Sequence, residues 1–220
     1  MTTTPDLIHA LAANLRPVRR LRSPAIRAAF WLLLAACVVA LLAVSQGIRP
    51  DLAERSRDLS FVAMLAGALL TGLTAALSAF MLSVPGRSSW WAILPLPPLA
   101  FWMSNIGYQC LTNWVVIDPS GISFGEATRC FATLVLTSLP LSLALFVMLR
   151  HAAALRPMAV ALTGGLSVAA ITALALFLFH ILDASLLVIM WNLGTAMLVV
   201  GLSALLTARY VRRAKSLLSA

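Results

Sequence analysis

LSFVAMLAGALLTGLTAALSAFMLSVPG, residues 59–86, runs for 28 residues without an Asp, Glu, Lys or Arg. An α-helix rises 1.5 Å per residue, so about 20 residues cross the roughly 30 Å hydrocarbon core of a bilayer. This stretch is long enough, and similar ones lie on both sides of it. Uncharged runs recur at 28–48, 88–117, 130–149, 157–182 and 184–208, with lengths of 21, 30, 20, 26 and 25 residues. The pattern predicts an all-α, polytopic membrane protein. A six-transmembrane-helix bundle over 28–208 follows a cytoplasmic segment, 1–27, and precedes a basic cytoplasmic tail, 209–220.

Composition agrees. Of the 220 residues, 61% are hydrophobic and 10% charged, against about 25% charged in an average soluble domain. A soluble enzyme or binding domain needs a polar surface that this chain does not supply. The net charge is +9, and the basic residues are placed unevenly. Arg16, Arg19, Arg20, Arg22 and Arg27 precede the first run, Arg87 follows the second, Arg150 and Arg156 follow the fourth, and Arg209, Arg212, Arg213 and Lys215 follow the sixth. Only Arg49, Arg55, Arg57 and Arg129 fall in the alternate loops, where most acidic residues also lie. The positive-inside rule then places both termini in the cytoplasm. The charge reports topology rather than nucleic-acid binding. Ala43-Val44-Ser45 resembles a cleavage site, but the leader and apolar run are both longer than a signal peptide's, so the first span is expected to stay uncleaved.

The leader carries a second pattern. Thr3 or Thr4 can cap a helix that starts at Pro5, and Asp6 favours the positive end of its dipole. Leu7, Ile8, Leu11 and Leu15 share one face, and Pro17 ends the helix. An amphipathic helix of about three turns is marginal alone in water. It must bury its apolar face on a partner protein, the bilayer surface or the ends of the other helices. The stretch RPVRRLRSPAIR, residues 16–27, reads as a topology determinant and headgroup anchor. Further along, Pro85-Gly86 predicts a tight turn, and Trp90 and Trp91 are interface anchors. Pro95, Pro97 and Pro98 are expected to kink the third span. Ala63/Gly67, Ala68/Gly72, Gly72/Ala76 and Gly165/Ala169/Ala173 repeat small residues every fourth position, which lets helices of one bundle approach closely.

Little catalytic chemistry is visible. No charged residue interrupts the six runs, which argues against a proton-coupled transporter or ion pump. No nucleotide-binding loop, zinc-protease motif or serine-nucleophile motif occurs. The chain is expected to be neither an enzyme nor a cofactor binder. Cys37, in mid-run, reads as a small buried residue. Cys110 and Cys130 bracket the long loop on the outer side. Such a pair can form a structural disulfide in an oxidising compartment, or serve as thiols that read redox state or bind soft metal ions. His180 and Asp183 lie on the same side and are the other candidate metal ligands.

DLIHALAANLRPVRRLRSPAIRAAFWL (residues 6–32), LSVPGRSSWWAILPLPPLAFW (residues 82–102) and the pair Cys110 and Cys130 together resemble the NrsF-type anti-sigma factors. The resemblance implies a six-span protein of the bacterial inner membrane that holds an extracytoplasmic-function sigma factor inactive. It implies that residues 5–21 make the contact, through Asp6, Leu7, Ile8, Leu11, Leu15, Pro17, Arg19, Arg20 and Leu21. It also implies that Cys110 and Cys130 sense metal or oxidative stress and release the sigma factor. Beyond that sigma factor the expected partner is the lipid bilayer, with no direct nucleic-acid contact; the oligomeric state is open. Unlike many anti-sigma factors, the chain has no CxxC or His-rich zinc site in its cytoplasmic part. Two other readings use the same spans. One is a membrane scaffold or assembly protein. The other is a small-molecule carrier lined by Asn105, Tyr108, Gln109, Asn113 and Asn192.

Overall fold

Ser23 starts the first long helix: its hydroxyl accepts from the Ile26 amide at 3.4 Å, and Pro24 takes the first helical position, where no N–H is needed. The structure, a computed structural model, describes residues 22–112, 124–149 and 156–179. It also describes the isolated positions Thr4, His9, Ala13, Leu198, Gly201, Leu202, Leu205, Leu206 and Arg209, all helical. Side chains at 109–112, 124–127, 129 and 130 lie outside the description. The elements are α1 (Pro24–Gln46), α2 (Leu52–Arg55), α3 (Leu59–Leu82), a 3-10 helix (Ser89–Ile93), α4 (Leu96–Thr112), α5 (Phe124–Leu149) and α6 (Pro157–Phe179). Among the described residues there is no strand.

Among the described residues, four helices are long and apolar enough to cross a membrane: α1, α3, the Phe131–Leu149 part of α5, and α6. The run at 88–117 does not form one long kinked helix. Its prolines divide it, with the 3-10 helix first and then α4, which is 17 residues long. Pro97 and Pro98 fall in the first turn of α4, where their missing N–H groups have no intrahelical acceptor to lose. Of the run at 184–208, only Leu198, Gly201, Leu202, Leu205 and Leu206 are described.

The centre of the bundle is the pair α3 and α6. Small residues make the seam: Ala68, Gly72, Ala75, Ala76 and Ala79 on α3, and Ala161, Gly164, Gly165, Ala170 and Ala173 on α6, are all buried. Ser167 Oγ donates to the Gly72 carbonyl across the seam at 2.8 Å. Several other hydroxyls are satisfied within their own helix, as with Thr71 on Gly67 O (2.7 Å), Thr163 on Ala159 O (2.8 Å) and Ser78 on Thr74 O (2.8 Å). This suits an apolar solvent that offers no alternative partner. The repeated small residues thus serve packing inside the bundle, as their spacing predicts.

Around this pair, α4 rests on α3, α1 rests on α3, α5 and α6, and α5 rests on α6. Trp31, Ala35, Ala76, Phe80, Leu141, Leu145, Val168 and Ile171 form the core where α1, α3, α5 and α6 meet. Trp102 packs against Ala68, Ala170 and Ala173 on the α4 side. Outward, Phe30, Leu33, Leu34 and Leu41 of α1 are exposed together with Leu136, Leu139 and Leu143 of α5, an apolar girdle of the kind that soluble proteins avoid. Cys37 belongs to this outward face. It is not the buried residue its mid-run position suggests, because α1 buries only the stripe through Arg27, Ala28, Trp31, Ala35 and Leu42.

Candidate functional site

The bundle has two chemically different ends. At one end lie the start of α1, the end of α3, the end of α5 and the start of α6. Gly86, in the left-handed region at φ +82°, makes the expected turn after α3. Arg156 Nη1 donates to the Arg87 carbonyl at 3.5 Å. Arg22, exposed, stacks on Phe30 with 5.5 Å from guanidinium to ring centre. Among the described residues no acidic side chain pairs with Arg22, Arg27, Arg87 or Arg156, so this end is strongly positive.

Arg27 differs from the other arginines. Counted with the leader's surface charges by its position, it is instead buried, with 7% of its surface exposed. Its Nη2 donates to the Met148 carbonyl in the last turn of α5. Its guanidinium lies 5.3 Å from the centre of the Phe80 ring, near the end of α3. Its Nη1 is buried without a partner. The correction follows from the helix period: Arg27 lies four residues before Trp31, on the stripe of α1 that faces the core.

Two more side-chain bonds join α1 to α5. Trp31, fully buried, donates from Nε1 to the Leu141 carbonyl at 3.1 Å. At the opposite end, Thr133 Oγ1 donates to Gln46 Oε1 at 2.7 Å. The α1–α5 seam is therefore bonded at both ends and in the middle. Two of its three acceptors are backbone carbonyls, which is why sequence reading missed it.

The opposite end holds the loop after α1. Arg49 is buried and binds Asp51 with two hydrogen bonds, 2.7 Å from Nε and 2.5 Å from Nη2. Its backbone N–H donates to the Leu178 carbonyl of α6 at 3.1 Å, and its guanidinium lies 5.8 Å from the centre of the Phe61 ring. The hydrogen bonds from Arg49, with its charge and that of Arg55, hold the Asp51 carboxyl below its ordinary range. The loop is thus fastened to the bundle rather than being a loose connector.

Of the leader, Thr4, His9 and Ala13 are described, and each is helical and exposed. Asp6, Leu7, Ile8, Leu11, Leu15, Pro17, Arg19, Arg20 and Leu21 themselves lie outside the described residues, as do His180 and Asp183. Cys110 lies in the last turn of α4, and Cys130 one turn before Thr133 in α5; their side chains lie outside the description. Their helices are sequence neighbours, yet α4 rests on α3, and α5 on α6 and α1.

Apolar helices with an outward apolar girdle and one basic end define a helical membrane protein without a recognisable catalytic constellation among the described residues. The sequence model of the NrsF family, described as negative regulator of sigma F, matches residues 11–212. The chain belongs to that family, and the family's description makes its partner a sigma factor. No curated protein and no solved structure matches the chain.

Proposed function

We propose that the protein is a membrane-bound anti-sigma factor of the bacterial inner membrane, with six spans, both termini in the cytoplasm and no catalytic activity of its own. It sequesters an extracytoplasmic-function sigma factor through the leader, residues 5–21. The apolar face of Leu7, Ile8, Leu11 and Leu15 enters a groove of the sigma factor, and Asp6, Pro17, Arg19, Arg20 and Leu21 border it. Cys110 and Cys130, in the periplasm, sense metal or oxidative stress and trigger release. The observation that carries this reading is the family match over residues 11–212. The separation of the basic end from the end with Cys130 supports a signal that enters on one side and is read on the other.

The test is co-purification from detergent-solubilised membranes. The full chain should retain the sigma factor, and the chain without residues 1–27 should lose it while remaining in the membrane. Equal retention by both would refute the leader as the contact.

A further inference from the structure

We propose that Arg27 is a positioning residue. Seated against α5, it holds the leader in the state that captures the sigma factor, and unseated it lets the sigma factor go. This rests on the leader being the sigma-binding segment. The relay is then the α1–α5 seam rather than a direct contact between the two cysteine-bearing helices.

The leader and α1 are continuous in sequence, with Arg27 in the first turn of α1. Whatever fixes that turn fixes where the leader leaves the bundle. Three things define the setting of the Arg27 guanidinium: the Met148 carbonyl, the Phe80 ring and its own unpartnered Nη1. A buried cation needs its hydrogen-bond partners, and this one depends on a single carbonyl at the end of α5. That helix runs unbroken from Phe124 to Leu149. From Thr133 to Met148 it measures about 22 Å at 1.5 Å per residue. Cys130 stands one turn beyond Thr133. A shift or tilt of α5 at the Cys130 end therefore displaces the Met148 carbonyl at the other. Arg27 then loses its partner and must follow or swing out to water. Two alternative seatings of one buried side chain are the kind of two-state element that a distant signal can bias. Trp31, bonded to Leu141 O, makes α1 and α5 respond together at mid-height.

The experiment uses the full-length chain in its membrane with a sigma-dependent reporter. Arg27→Met replaces a buried cation with an apolar side chain of similar length, a change that buried sites tolerate. It should leave protein abundance unchanged and switch transcription on without any stress. Arg27→Lys retains a donor for the Met148 carbonyl and should restore repression. A role in packing alone would be met by methionine, so the contrast between the two variants isolates the hydrogen bond. In a third chain, carrying Arg27→Cys with Met148→Cys, the two thiols are joined by a short bismaleimide in isolated membranes. Linking should succeed, and the linked chain should keep its sigma factor when cadmium ion is added outside. Normal repression by Arg27→Met, derepression by Arg27→Lys equal to it, or failure of the link to form would each overturn the proposal. If the unlinked wild-type chain never retains a sigma factor, the leader reading fails instead, and the link still reports whether Arg27 and the end of α5 meet.

Discussion

Gly67 is where α4 touches α3: a Cβ there would stand 2.9 Å from Trp102 Cβ and 3.1 Å from its Cα. A backbone cannot step aside as a side-chain tip can. Gly67→Leu should therefore cost about 1–3 kcal/mol, the usual range for an overpacked core, and lower the thermal unfolding midpoint in detergent. Gly107→Ala, also on α4, meets nothing within 4 Å and should leave the midpoint unchanged or raise it slightly, since alanine favours the helix. Trp31→Phe keeps most of the buried ring and leaves the Leu141 carbonyl its place in the helix of α5; losing the indole bond to Leu141 O should cost about 1 kcal/mol. The cysteines separate by role. Cys110→Ser with Cys130→Ser should give an abundant chain that binds the sigma factor but no longer responds to thiol-reactive metals or oxidants. A fall in abundance would instead mark a structural disulfide. Cys37→Ser, on the outward face of α1, should respond normally. A double serine variant that is abundant and fully inducible would remove both outer cysteines from the mechanism.

At the scale of the helix, the leader carries the sharpest prediction. Leu11→Arg with Leu15→Arg puts two charges on the face that enters the groove, and desolvating them should cost several kcal/mol of binding. Reporter transcription should become constitutive while the protein stays in the membrane. A leader that merely lies on lipid would leave transcription unchanged. Replacing Arg19 and Arg20 should act more mildly, because rim charges mainly tune association rate and salt dependence. The helices were legible because uncharged runs leave no alternative to helix in an apolar solvent, and α1, α3 and α6 fall where those runs predict. Their ends were less legible where proline intervenes: Pro95, Pro97 and Pro98 begin α4 rather than bend it. Helix neighbours were legible only in part, since the sequence neighbours α3 and α4, and α5 and α6, do pack together. Sequence order pairs α4 with α5, whereas the small faces of α3 and α6 draw those two together and leave α4 and α5 resting on different helices. The seating of Arg27 was hidden for a related reason. Its acceptor is the carbonyl of Met148, and a carbonyl looks the same at every position of a sequence.

For the whole molecule, the side assignment is the first thing to measure. A cytoplasm-active reporter fused after Ala220 should be bright and a periplasm-active one silent; the reverse would exchange the two ends of the bundle and with them the roles of leader and cysteines. The two ends themselves are distinct in the fold, one carrying Arg87 and Arg156 in contact and the other the Arg49–Asp51 pair. The close fit of α3 on α6 has one more consequence. A Cβ at Gly72 would stand 2.9 Å from Ile171, and Ser167 is bonded across the same seam to the Gly72 carbonyl. Helices that mesh this tightly have no room to ratchet past one another. The pair is a fixed mast, and whatever travels between the two faces of the membrane must be rigging that moves around it.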